Sequence, residues 1–161
     1  YKRDKNTGLL YWNDDTMIGV DNDPSTFYRP RNSSASIFLN VMMYKELKAM
    51  AYICRQLKLE NAAISYDNDA DELKGCIENH CWDPRDGFYY SCDLNLLPVS
   101  KPETSGFILH QGAPRNYDCL LQRFSVWSGF LPMWAGMTSE EQAKEMVTRN
   151  YRNTDSVSIH I

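Results

Sequence analysis

The chain has 161 residues, enough for one ordinary domain or for a piece of a larger one. Hydrophobic residues at 43% and charged residues at 24% mark a globular protein rather than a disordered one. A net charge of −4, with basic residues scattered, argues against a surface for nucleic acid or anionic membrane, and no apolar run approaches the roughly 20 residues of a membrane span.

Residues 1 to 32, rich in Asp, Asn, Pro and Gly, read as irregular and partly extended. A helix is predicted from about Ser34 to Lys58, with Ser33 or Ser34 as N-cap. Its apolar stripe is Ile37, Val41, Tyr44, Leu47, Ala51 and Cys54, widened by Leu39, Met43 and Met50, which suits an inner helix. After a break at Leu59 to Asn61, a second helix runs from about Ala62 to His80. Tyr66, Ala70, Leu73, Ile77 and Cys81 mark one buried face, and acids fill the other, as in an outer helix. Two long helices so tightly joined predict an antiparallel αα-hairpin.

Asp83 to Gly87 then reads as a turn and Phe88 to Tyr90 as a short strand. Residues 94 to 116, punctuated by Pro98, Pro102, Gly106, Gly112 and Pro114, read as a long loop. A second apolar helix is expected over Arg123 to Trp134, interrupted by Gly129 and Pro132. A last helix follows a capping box, either Thr138 with Glu141 or Ser139 with Gln142, and buries Ala143, Met146, Val147 and Tyr151. The fold class expected is all-α: antiparallel αα-hairpins with a short β-hairpin insertion. Two hairpins do not close an architecture, so they look like part of a larger toroid or solenoid. The chain opens at Tyr1 rather than Met, so the lack of a recognisable targeting signal excludes no compartment.

The five cysteines form no Cys-x-x-Cys pair and read as reduced, mostly buried thiols. Cys76 and His80 share a helical face, but a structural zinc needs four ligands, so no metal site is assigned. "DNDADELKGCIE" places Asp67, Asp69, Asp71 and Glu78 at calcium-loop positions. Its sixth position is Glu72, where the sharp turn needs Gly, and the helical period runs straight across it. Aromatic residues reach 12%, and several sit beside Gly, Asp or Pro, where flat rings can serve either as sugar platforms or as core.

"IGVDNDPSTFYRP", residues 18 to 30, is an acidic turn between aromatic flanks. "LLYWNDDTMIGVDNDP", followed by the Ala35 to Asn40 helix start, resembles the acid loop of glycoside hydrolase family 63 and its relatives, the mannosylglycerate-type hydrolases and, more distantly, trehalases. Gly19, Asp21, Asn22 and Pro24 match that loop's Gly-x-Asp-Asn-x-Pro. "CWDPRDGFYY" and "RFSVWSGFLPMWAGMTSEEQAKEMV" extend the resemblance over most of the chain. It implies that residues 1–161 are part of one (α/α)6 catalytic domain whose downstream part lies beyond Ile161. It implies an inverting glycosidase on an α-linked glucose or mannose unit of an oligosaccharide or small glycoside, with Asp21 as general acid and no cofactor. The second carboxylate, a Glu base in the family, has no counterpart before Ile161. In inverting enzymes the two carboxyl groups lie about 6.5–9.5 Å apart. Trp12, Phe27 and Trp127 are candidates to line a sugar subsite, Asn22 to orient the acid or bind a hydroxyl, and Gly19 to admit a close backbone. Arg29, before Pro30, suits an acid partner, the substrate or the surface. Ser36 departs from the family, whose members often carry Asp at the helix start. A non-catalytic helical module for carbohydrate or protein, or a plain scaffold of hairpins, stays open beside the enzyme.

Overall fold

The computed structural model describes residues 2–14, 23–27, 29–95 and 118–152. The chain begins with β1 (Lys2–Arg3) and β2 (Leu10–Tyr11), paired antiparallel. β3 (Ser34–Ala35) leads directly into α1 (Ile37–Gln56), and α2 (Glu60–Cys81) returns beside it. A small hairpin follows, β4 (Trp82–Asp83) with β5 (Phe88–Tyr89), and then β6 (Ser91–Asp93). β7 (Leu120–Gln122) closes a three-stranded antiparallel sheet in the order β3-β6-β7. A 3-10 turn at Trp127–Phe130 precedes α3 (Leu131–Trp134) and α4 (Glu140–Glu145), which widens into a π-helical turn at Met146–Tyr151.

α1 and α2 form the expected hairpin. Lys48 Nζ lies 2.6 Å from Asp67, Arg55 pairs with the same carboxylate, and Arg55 also faces Glu60 at 3.9 Å, which sets the helices antiparallel. The predicted stripe is the buried one: Ile37, Val41, Tyr44, Ala51 and Cys54 face inward, as do Ala70, Leu73, Ile77 and Cys81 across from them. The segment from Asp67 to Glu78 is helical throughout, with Asp67 bridging the two helices. The connection is tight because Lys58 takes a left-handed φ of 59°, letting the Leu59 amide reach back to the Cys54 carbonyl at 2.8 Å.

Several expectations are corrected. Among the described residues about half are helical, and some small antiparallel strands accompany them, so all-α describes the α1–α2 hairpin better than the whole chain. Neither Ser33 nor Ser34 caps α1. Ser34 is in a strand, and Ser36 occupies the cap position without a side-chain cap bond. α1 is not covered on most sides either, since Met42, Met50, Tyr52 and Ile53 are exposed. The helix expected over 123–134 is shortened to a 3-10 turn at Trp127–Phe130 followed by one α-turn at Leu131–Trp134, and Pro132 cannot donate to a continuous α-helix arriving from upstream. Gly129 also forces the chain close to β5: a Cβ there would meet the Tyr89 carbonyl at 2.6 Å and collide with the Phe88 ring. At the last helix, Ser139 and Gln142 form the capping box, and Met146 is buried, but Tyr151 is 72% exposed and touches only the edge of Phe130. Residues 96–117, most of the expected long loop, lie outside the described residues.

The N-terminal arm is held to α1 by one side chain. Asn40, fully buried, accepts from the Leu10 amide at 2.8 Å and donates to the Leu10 carbonyl at 2.9 Å, with its other N–H on the Ser36 carbonyl. The amide behaves as a piece of neighbouring strand, so the end of β2 needs no backbone partner there. Asn40→Ala orphans both Leu10 groups in a dry place and is expected to cost about 3 kcal/mol, read from the urea midpoint. Lys58→Gly is expected to raise stability by about 0.5–1 kcal/mol, because Gly carries no steric penalty at positive φ, measured in the same titration.

Candidate active site

The three-stranded sheet has two faces of different chemistry. Its register sets Ser34 opposite Asp93 and Ala35 opposite Cys92, while Ser91 faces Gln122 and Cys92 faces Leu121. Carried one step further, the same register brings Ser36 beside Ser91. Side chains alternate across a sheet, so Ser34, Ser36, Ser91, Asp93 and Gln122 share one face, and Ala35, Cys92 and Leu121 share the other.

The polar face meets the N-terminus of α1 and the segment Asp23–Arg29. Ser91 Oγ accepts the Ile37 amide at 3.0 Å, satisfying one of the helix's free N–H groups. Ser34 Oγ donates to the Ser25 carbonyl, and Arg29 forms an ion pair with Asp93. Asp23 is buried in the turn that follows the acid loop. Its Oδ1 accepts the Ser25 amide at 2.8 Å and its carbonyl accepts the amides of Thr26 and Phe27. The ring of Phe38, in the first turn of α1, stands 5.9 Å from Trp127, edge to face.

This layer is short of hydrogen-bond partners. Among the described residues, Ser25 Oγ, Arg29 Nε, Ser36 Oγ and both amide atoms of Gln122 are buried and unpaired, as are Trp12 Nε1, Asn13 Oδ1 and Ser128 Oγ. Each such atom costs about 1–3 kcal/mol, and folds tolerate a group of them chiefly where function uses them.

The sequence-named residues fall as follows. Gly19, Asp21 and Asn22 lie outside the described residues, between Asp14 and Asp23. Trp12 packs against the core, Phe27 is exposed, and Trp127 is 57% exposed on Phe38. Of the three, Trp127 stands at the N-terminal end of α1, through its contact with Phe38. Arg29 takes the acid-partner alternative. Sequence reading missed Gln122 and gave Ser36 no positive role; only the register reveals that Ser36, Ser91 and Gln122 form a row.

On the other face, Cys92 Sγ contacts the His80 carbonyl at 3.2 Å and Cys81 Sγ at 3.8 Å, and Cys119 Sγ lies 3.8 Å from His80 Nδ1. The Cys119 contact favours the Cys92 thiolate, but Cys81 and burial outweigh it and push that thiol well up. Cys119 is itself raised by Cys92 and by burial. Both shifts favour the thiol over the thiolate at Cys92 and Cys119.

A cleft of about 550 Å³ is lined by residues including Arg85, Asp86, Tyr90, Ser125 and Arg149. Tyr90 donates to Asp86 at 3.0 Å. Burial, opposed by Ser125 and reinforced by Asp86, pushes its phenol up to about 12. Beside the cleft, Asp83 is buried and pairs with both Arg85 and Arg123. None of the sequence-named site residues lines this cleft.

Residues 3–151 match the family described as the mannosylglycerate hydrolase MGH1-like glycoside hydrolase domain. The chain belongs to this family. It is similar to a probable trehalase of Eremothecium gossypii, 28% identical over 137 residues, which are 77% of this chain and 15% of that one. It is also similar to a solved structure named sialidase, at 32% identity and a TM-score of 0.50, over 58% of this chain and 8% of that one. The chain thus spans well under a fifth of the length of either relative.

Asp83 provides a test of the electrostatics beside the cleft. Burial opposes its ionisation, but the Arg85 amide and guanidinium and the Arg123 charge prevail and hold its carboxyl below the usual carboxylate range. A carboxyl more acidic when folded adds stability above its unfolded pKa near 4 and loses it as pH falls through the lower folded value. Asp83→Asn is therefore expected to be about 1–3 kcal/mol less stable than wild type at pH 7. That gap should close below about pH 4, as followed by urea midpoints across pH.

Proposed function

We propose that the chain carries the acid half of an inverting glycoside hydrolase site that acts on an α-linked glucose or mannose unit. Membership of the glycoside hydrolase family over residues 3–151 is the observation that carries this reading. The polar layer at the exit of the acid loop is consistent with it. The full site needs a Glu base from the rest of a longer chain, within an (α/α)6 toroid of which the α1–α2 hairpin is one unit.

In this reading Asp21 is protonated when substrate binds. It gives its proton to the glycosidic oxygen as the bond to the anomeric carbon breaks. A water on the opposite face of the ring loses a proton to the Glu base and its oxygen bonds to the anomeric carbon, inverting it. Water is thereby divided between the two products, and a proton returns from the base to Asp21 through solvent. An acid at this task needs a pKa raised by burial or by neighbouring carboxylates. Trp12, Phe27 and Trp127 offer rings for stacking, Asn22 a hydroxyl contact and Gly19 a close backbone approach. Two carboxylates and water suffice, so the reading calls for no cofactor.

Asp21→Asn in the full-length protein is expected to lower kcat by about 10³-fold while substrate binding is kept, because the amide has no proton to give. The measurement is steady-state hydrolysis of α-glucosides and α-mannosides, beside calorimetric binding of the same compounds. Turnover at the wild-type rate would remove Asp21 from the role.

A further inference from the structure

The row formed by Ser36, Ser91 and Gln122 has an arrangement that packing alone does not require. Ser91 is spoken for by the Ile37 amide. On either side of it, Ser36 Oγ and both atoms of the Gln122 amide are buried and unpaired, with Ser36 at 0% and Gln122 at 6% exposure. Gln122 stands opposite Ser91 in the register, and so on the same face of the sheet as Ser91 and Ser36. The first turn of α1 has no acidic residue, and its cap residue, Ser36, makes no side-chain cap bond. A 20-residue helix thus presents its N-terminus to a row holding one open amide donor, one open amide acceptor and one open hydroxyl.

We infer that Ser36 and Gln122 are binding residues that read the hydroxyl groups of a neutral pyranose at the N-terminus of α1. A carboxylate or phosphate accepts but does not donate, so it would leave Gln122 Oε1 orphaned in a dry site. Neighbouring sugar hydroxyls both donate and accept, and they satisfy all three open groups together. Phe38 and Trp127 at the same helix end supply the apolar ring surface that a pyranose face requires. The inference rests on the glycosidase reading for its ligand class, but it concerns binding and is independent of Asp21.

The test uses 1,5-anhydro-D-glucitol and 1,5-anhydro-D-mannitol, which keep the ring hydroxyls and lack a glycosidic bond. Calorimetric affinity and Tm are measured on the full-length protein, its Gln122→Met variant and its Ser36→Ala variant. Gln122→Met keeps the side-chain length and deletes two orphaned atoms. Affinity for at least one polyol is expected to fall tenfold or more while Tm holds or rises, because an unpaired buried amide is costly until a ligand pairs it. A merely structural Gln would show the reverse, with Tm falling and affinity unchanged. That result, wild-type protein binding neither polyol, or affinity and Tm falling together would overturn the inference. Ser36→Ala removes one oxygen and little volume, and it is scored by the same criteria should Gln122→Met not fold. Because neither polyol can be hydrolysed, a failure here leaves the Asp21→Asn assay unaffected, and a failure of that assay leaves this one readable.

Discussion

The organisation of the described residues depends on the bonds between Asn40 and Leu10. The arm at residues 2–14 has only two short strands of its own, and a two-stranded ribbon of that length has no independent stability. A buried amide on α1 takes the place of a third strand and ties the arm to the longest rigid pair in the structure. The acid loop leaves from one end of this arm and returns at Asp23, whose turn is fastened to the sheet through Ser34 and Ser25.

The second organising feature is the division of labour across the β3-β6-β7 sheet. One face is thiol-rich and sealed against the end of α2, where raised thiol pKa values keep sulfur chemistry out. The other is polar and, among the described residues, under-bonded. Three residues per strand are enough for this, because alternation places every second residue on the same side. The price in stability is concentrated on one face, and the α1–α2 hairpin, with its buried stripe and Asp67 bridging two cations, offsets it.

The two longest elements were legible from period alone, since Ile37 to Cys54 and Tyr66 to Cys81 repeat at helical spacing and bury as that spacing requires. The Ser139–Gln142 box was legible for the same kind of reason: its partners lie three residues apart. The helix expected over 123–134 starts late because its apolar residues carry no signal for where the coil begins: Arg123 to Val126 stay non-helical, and only Trp127 to Trp134 turn, as a 3-10 turn and then α3. That Leu120 to Gln122 just before it extend is decided by β6, nearly thirty residues upstream.

The sequence by itself determined the helical hairpin, the turn at Asp83 to Gly87, the Ser139–Gln142 cap of the last helix, and the family resemblance carried by Gly19, Asp21, Asn22 and Pro24. All of these depend on residues close together in the chain or on a local motif. Only the tertiary structure decided that Asn40 serves as a strand, that Arg29 pairs with Asp93, and that Asp83 is a buried ion rather than a turn residue alone. It also decided that Ser36, Ser91 and Gln122 form one row. Those facts join residues from 30 to 86 positions apart in a strand register, or through a buried polar contact. No local spacing encodes such a join; it exists only once the hydrophobic core has brought the strands and the helix terminus together.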